Sequence, residues 1–125
     1  MKLSTVASFE CYMHIFIKAE IERLVNELDL SYCVLFTGIL SEKEKIDALR
    51  ACDILVRPSI YEGFGLMLIE AQASGKPVVA TGAGGMLSAV RDGDTGFLVS
   101  FGDKNQLSEK ILRLLEDERL AHKMG

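Results

Sequence analysis

The chain lacks several features, and each absence excludes a broad class of protein. It has no excess of positive charge: 14 Lys and Arg against 18 Asp and Glu give a formal net charge of −4, which argues against nonspecific nucleic-acid binding. Its three cysteines, Cys11, Cys33 and Cys52, form no C-x-x-C pair, and we interpret them as reduced, buried thiols of a cytoplasmic protein. The apolar run Val6–Ala19 contains charged residues, is too short to span a bilayer and lacks a signal-peptide layout.

Histidine is scarce as well. His14 and His122 have no nucleophile or metal-ligand partner at a useful spacing, and no Ser-His-Asp grouping or metal-ligand cluster stands out. We therefore expect neither a metal nor a cofactor. What the sequence does have is 125 residues of which 49% are hydrophobic, which predicts a packed globular domain.

Short apolar runs alternate with helical patterns along the chain. The predicted strands are Tyr32–Thr37, Asp53–Val56, Pro77–Thr81 and Phe97–Val99. Continuous apolar strands separated by helices indicate a parallel sheet covered on both faces, so we predict a doubly wound, Rossmann-like α/β fold. Such sheets bind ligands beyond the carboxyl ends of their strands. Gly38, Ser59–Gly65 and Thr81–Gly85 all follow strands, so we expect them to converge on one site.

The helices are indicated by their caps and by their apolar periodicity. A first helix is predicted from an apolar face of Ile17, Ile21, Leu24 and Leu28, and a second from a capping box at Ser41–Glu44, with Ile46, Leu49 and Cys52 inward. A third helix is predicted at Gly65–Ser74, ended by Gly75 at C′, and a short helical turn at Leu87–Arg91. A last helix is capped by Asp103, with Leu107, Ile111, Leu114 and Leu115 inward. The segment Asp92–Gly96 is predicted to be a tight turn.

Two carboxylates mark the most informative stretch. Glu62 precedes a Gly63–Gly65 turn, and Glu70 lies eight residues further on in an apolar segment. A glycine-rich turn at a helix N-terminus offers unpaired N–H groups to phosphate, and acids on either side would accept hydrogen bonds from hydroxyls. On one helix the two acids would be about 12 Å apart, more than the roughly 5–10 Å used in glycoside hydrolysis. The stretch therefore predicts a nucleotide-sugar site.

Other interpretations of these residues stay open. Glu62 could be a solvated loop acid, and Glu70 a structural acid bonded to backbone amides. The turn Gly82–Gly85 could place amides near a sugar or phosphate, or could simply join a strand to a helix. Arg57 could meet a phosphate or pair with an acid, although a surface role is favoured.

The chain resembles the C-terminal domain of retaining GT-B glycosyltransferases, the glycogen-synthase-like and mannosyl- or glucosyl-transferring enzymes. The resemblance rests on ordered motifs that include an E-x7-E element: Phe36–Gly38, Asp53–Ser59, Glu62–Ala71, Ser74–Thr81, Gly84–Gly85 and Asp92–Val99. It implies a domain that binds the donor of a hexosyl transfer, a nucleotide-diphosphate sugar, without a bound metal.

The resemblance also implies roles for individual residues. Glu62 is the expected catalytic-site contact to the donor sugar hydroxyls, and Glu70 the expected acceptor from the ribose hydroxyls. The other implied donor-binding residues are Gly38 beside the base, the amides of Gly63, Phe64, Gly65 and Leu66, and the pair Gly84 and Gly85. Where the family has Pro and Glu after the two glycines, this chain has Leu87 and Ser88, which weakens the assignment of that loop.

The match is uneven along the chain. Residues 1–29 are a degenerate start of the domain, without the family's Gly/Arg…Lys phosphate clamp, and residues 30–125 are the donor-binding core. An acceptor-binding domain or partner chain is expected to complete the site, and peripheral association with a membrane stays open. Two alternatives remain, a non-catalytic module that acts through a partner chain and an unrelated doubly wound phosphate binder.

Overall fold

A computed structural model describes residues 6–7, 15–38, 40–58, 66–81 and 89–125. These residues form a parallel sheet with strand order β1-β2-β3-β4 and five helices. The strands are β1 (Val6–Ala7), β2 (Ile54–Arg57), β3 (Val78–Thr81) and β4 (Gly96–Val99), and the helices are α1 (Ile15–Glu27), α2 (Glu42–Ala51), α3 (Leu66–Ala73), α4 (Lys104–Glu116) and α5 (Glu118–Met124). The predicted α/β fold with a parallel sheet is confirmed.

Both faces of the sheet are covered. Every residue of β2 and β3 is buried, as expected of central strands in a parallel sheet. On one face α2 and α3 pack against alternate strand residues in a cluster of Leu49, Leu55, Met67, Leu68, Ala71, Val78, Ala80 and Val90. On the other face α4 and α5 complete a cluster of Ile54, Val56, Val79, Phe97, Val99, Leu114 and Met124.

The predicted helix ends on the first face are confirmed. At the start of α2, Ser41 Oγ accepts from the Glu44 N–H at 3.2 Å, and the Ser41 N–H donates to Glu44 Oε2 at 2.8 Å, which is a reciprocal capping box. At the end of α3, Gly75 has φ +76°, and the N–H of Lys76 donates to the carbonyl of Ala71 at 3.0 Å. This is a Schellman turn, which requires a residue in the left-handed region and so favours glycine.

The second face is built from two capped helices. Asp103 caps α4 by accepting from the Gln106 N–H at 2.9 Å, as predicted. Asp117 caps α5 in the same way, accepting from the Leu120 N–H at 3.0 Å. Helix α5 was not predicted from the sequence, because a helix of seven residues is too short to show a clear apolar periodicity.

The predicted strand Tyr32–Thr37 is wrong. Residues 31–33 form a turn, in which the Cys33 N–H donates to the Leu30 carbonyl at 3.0 Å, and residues 34–38 have no regular structure. The side chains of Tyr32 and Leu35 are 86% and 83% exposed. A strand needs a hydrogen-bonding neighbour, and no described strand lies beside this segment.

The apolar residues predicted for the first helix lie largely in water: Ile21 and Leu24 of α1 are 36% and 51% exposed, and Leu28, just after the helix, is 57% exposed. Neither core cluster contains a described α1 residue. Two expectations of burial are wrong. Ile46 of α2 is 41% exposed. Cys33 is exposed, whereas Cys52 is buried as expected. Cys11 lies outside the described residues.

Among the helices that the structure describes, none is long and apolar enough to cross a membrane.

Candidate functional site

The carboxyl edge of the sheet is where the ends of β2 and β3 meet. Arg57, the last residue of β2, is opposite Ala80, and β3 ends one residue later at Thr81. The segments that follow these strands therefore start at the same edge, as predicted. Arg57 and Thr81 are 4% and 2% exposed, so the favoured surface role for Arg57 is wrong. The burial follows from its place at the end of a central strand.

Much of the predicted site lies outside the described residues. Six of the predicted contacts are in this group: Glu62, Gly63, Phe64, Gly65, Gly84 and Gly85. The segment 82–88, with Leu87 and Ser88, lies there as well. The roles of all these residues stay predictions, and Gly38, Leu66 and Glu70 are the predicted contacts that the structure describes.

Two of these three stand at the ends of segments. Gly38 has φ +72°, a left-handed conformation that glycine adopts without cost, and a Cβ built on it would meet no atom within 4 Å. Leu66 is the first residue of α3 and is exposed. The helix N-terminus predicted to follow the glycine turn is therefore present, with its first amides unpaired within the helix.

Glu70 lies one turn into α3, and its carboxylate faces α2. Its side chain is 31% exposed, while its Oε2 atom is buried and lies 3.3 Å from Nζ of Lys45. That separation makes an ion pair, although its angles do not meet the criterion for a hydrogen bond at Oε2. In the part of the chain that the structure describes, Glu70 therefore has an ammonium partner, and no hydrogen bond there joins its carboxylate to a backbone amide.

Lys45 holds two carboxylates at once. It lies in the first turn of α2, 17% exposed, with its Nζ also 3.0 Å from Oε2 of Glu42. The hydrogen bond with Glu42, followed by the adjacent carboxylate of Glu70, raises the pKa of Lys45 against an opposing effect of burial. The ammonium is therefore held in its charged form.

The position of this ion pair follows from the topology. Helix α2 leads into β2, so its first turn lies toward the carboxyl edge of the sheet, and α3 leaves from that edge. Lys45 and Glu70 are therefore brought together where parallel sheets bind ligands. Sequence reasoning missed Lys45, because its spacing to Glu42 indicates a pair within α2 but nothing local indicates a partner 25 residues away.

The opposite edge of the sheet carries a groove of about 870 Å³. It lies at the amino ends of β2 and β3, beside Asp53 and Pro77, and is closed by the α4–α5 junction at Glu116 and Asp117. Ligands of open α/β sheets bind at the other edge, so we assign the groove no catalytic role. In the part of the chain that the structure describes, no group of three or more His, Cys, Asp or Glu could hold a metal ion.

A comparison with protein families decides what kind of domain this is. The model of the family "Glycosyl transferases group 1" matches residues 18–125. The chain belongs to this family. A similar curated protein is the D-inositol 3-phosphate glycosyltransferase of Corynebacterium jeikeium (strain K411), 41% identical over 109 residues that cover 85% of this chain and 26% of that protein.

Solved structures share the fold of this group 1 domain. HepE of Anabaena, in complex with UDP-glucose, aligns with a TM-score of 0.86 and 28% identity over 97% of this chain and 33% of its own. The C-terminal domain of LpcC, a group 1 family glycosyl transferase of Francisella tularensis, aligns with a TM-score of 0.79 and 34% identity over 88% of this chain and 57% of its own. The chain spans about a quarter of the length of the curated relatives it matches.

Proposed function

We propose that the chain is the donor-binding domain of a retaining glycosyltransferase that transfers a hexosyl group from a nucleotide-diphosphate sugar. The observation that carries the proposal is Glu70 in the first turns of α3, held by Lys45 at the carboxyl edge of the parallel sheet. Membership of the group 1 family supports the proposal, as does the likeness to a structure that contains UDP-glucose.

Each predicted contact has one task in this proposal. Glu70 accepts hydrogen bonds from the ribose hydroxyls, and Glu62 binds hydroxyls of the donor sugar. The amides of residues 63–66, which precede and begin α3 in the sequence, stabilise the diphosphate as negative charge develops on it, without a resident metal. Gly38 borders the base, and Gly84 and Gly85 contribute backbone to the donor site.

The proposal assigns this domain the donor side of the reaction. The acceptor side comes from another domain or from a partner chain, since the chain spans a quarter of the length of relatives that carry out whole reactions. The proposal includes a cytoplasmic location, which the free thiols of Cys33 and Cys52 support.

Calorimetric titration of UDP-, GDP- and ADP-sugars tests the donor site. We expect saturable binding of one nucleotide class and a loss of at least about tenfold in affinity in Glu70→Ala, the size expected for hydrogen bonds to a charged group. Glu27→Ala is the matched control, because Glu27 pairs with Arg23 on the surface of α1, away from the edge. Absence of binding at millimolar concentrations of all three classes would overturn the proposal.

The exposed apolar side of α1 favours a second candidate, a non-catalytic module that acts through a partner chain. Ile21 and Leu24 lie on this helix and Leu28 directly follows it, and all three are at least 36% exposed. An apolar side left in water is typical of a surface that another polypeptide covers. The same titration separates the candidates, since a non-catalytic module binds no nucleotide sugar.

A further inference from the structure

We propose that Lys45 is a positioning residue that fixes the Glu70 carboxylate for the ribose hydroxyls of the donor nucleotide. The inference rests on the proposed function, because it assigns Lys45 to a site whose ligand is a ribonucleotide. It goes beyond that function by adding a residue of a different helix, outside the motifs that carry the family resemblance.

The contact between Lys45 and Glu70 joins two helices. Side chains three or four residues apart on one helix are neighbours because of helix geometry alone. Arg23 and Glu27 are such a pair, and their side chains are 69% and 55% exposed. Lys45 and Glu70 are 25 residues apart and only 17% and 31% exposed. Their pair is therefore a tertiary contact with reduced screening by solvent, which can hold a carboxylate in one orientation.

The two oxygens of Glu70 are not equivalent. Oε2 is buried and lies against the Lys45 ammonium, so the exposed part of the side chain belongs to its other atoms. A carboxylate whose one oxygen is fixed in this way presents the rest of the group in a defined direction. Such a fixed acceptor loses less conformational entropy when hydroxyls bind, which favours binding.

The charges of the cluster favour hydroxyls over phosphate. Glu42, Lys45 and Glu70 together carry two negative charges and one positive charge, and the Lys45 N–H donors face the two carboxylates. A phosphate at Lys45 would be repelled by both acids, whereas neutral hydroxyl donors would be attracted to Glu70. Lys45 therefore acts through Glu70 and not as a direct ligand of the diphosphate.

A comparison of ribonucleotides with deoxyribonucleotides tests this role. Calorimetry measures the affinities of UDP and of 2′,3′-dideoxyuridine diphosphate. Both are titrated into the unaltered chain and into the variants Lys45→Met, Lys45→Arg and Glu70→Gln. If the sugar titration selects guanosine or adenosine, the corresponding pair of diphosphates is used instead. We expect Lys45→Met to weaken UDP binding by about three- to tenfold and dideoxy-UDP binding by less than about twofold. Lys45→Arg, which keeps the charge, should retain most of the preference for ribose.

Lys110→Met is the matched control. Lys110 has a similar side-chain exposure of 21%, but it lies on α4, against the other face of the sheet, over the ring of Phe97. Its loss should leave the ratio of the two affinities unchanged. In the double variant with Glu70→Gln, the effect of Lys45→Met on that ratio should disappear, because the two residues act on one contact.

The outcomes separate this inference from the proposed function. If the unaltered chain binds no ribonucleoside diphosphate, both are overturned. If it binds UDP and Glu70→Gln removes the preference for ribose, but Lys45→Met leaves that preference intact, the donor site stands and the role of Lys45 is overturned. An equal loss for UDP and dideoxy-UDP in Lys45→Met would identify a phosphate contact or a structural residue, and it overturns the inference as well.

Discussion

Gly96 and Val78 are opposite one another in the β3–β4 pair, and they approach so closely that a Cβ on Gly96 would lie 2.6 Å from both Cγ2 and the carbonyl oxygen of Val78. The same Cβ would lie 3.1 Å from Cγ1 of Val90. Glycine is therefore required here for space, where β4 begins against a buried strand. The sequence does not indicate this need for space, because it shows Gly96 only as the last residue of a predicted turn, Asp92–Gly96.

Gly96→Ala should destabilise the protein. The added methyl group has to displace backbone or a packed side chain, and overpacking of this kind costs about 1–3 kcal/mol of unfolding free energy. Urea denaturation followed by circular dichroism measures the change. Ser100→Ala, an exposed position just after β4, is the control and should stay within about 0.5 kcal/mol. Equal midpoints for the two variants would contradict the prediction.

Two leucines of α4 give a matched test of the second core face. Leu114 is 2% exposed within its cluster, and Leu112 on the same helix is 53% exposed. Leu114→Ala should lower the unfolding free energy by about 2–5 kcal/mol, because it leaves a cavity between α4 and the sheet. Leu112→Ala should change it by less than about 0.5 kcal/mol. Similar losses in both would show that α4 does not pack as described.

The capping box of α2 makes a smaller, local contribution. Ser41→Ala removes the acceptor of the Glu44 N–H and should cost about 0.5–2 kcal/mol. Ser108→Ala is the control, since the Ser108 hydroxyl donates to the carbonyl of Asn105 within the first turns of α4 and caps no helix. Chemical denaturation of both variants checks the difference, and an undiminished stability in Ser41→Ala would rule out the cap as a stabilising element.

The cysteines should differ in reactivity. In a Cys11→Ser background, a disulfide reagent such as DTNB should modify the exposed Cys33 quickly and the buried Cys52 only when the protein unfolds. Burial raises the pKa of the Cys52 thiol, so at pH 8 less of it is the reactive thiolate than in an unperturbed cysteine. Absorbance at the thiolate band of the reagent, with and without urea, measures both. Fast modification of both thiols in the folded chain would place Cys52 at the surface.

Local signals in the sequence predicted the local features of the structure. The capping box at Ser41, the turn at Gly75 and the apolar strand predicted at Pro77–Thr81 each depend on neighbouring residues, and each is confirmed, with the strand observed over Val78–Thr81. The short helix α5 was missed for the same reason, because it gives too little pattern.

The errors concern features that depend on distant residues. The apolar character of α1 was visible in the sequence, but whether anything covers Leu24 depends on which elements lie beside it. Segment 32–37 has strand-forming residues, but none of the described strands lies beside it. The burial of Arg57 reflects its place in the middle of the sheet. In the site, Glu70 was identified from its local sequence as a donor contact, but its partner Lys45 could not be found without the fold.

The parallel sheet also has a consequence for how the chain is made. Each pair of neighbouring strands that the structure describes is parallel and joined by a crossover, so these strands form no early hairpin. Their pairing waits for residues distant in sequence, which slows folding. The second face is covered by α4 and α5, which are synthesised after all four strands of the sheet. Until Met124 has been synthesised, the apolar residues Ile54, Val56 and Val79 remain uncovered on that face. Nascent chains of this domain should therefore depend on chaperones until synthesis reaches α5.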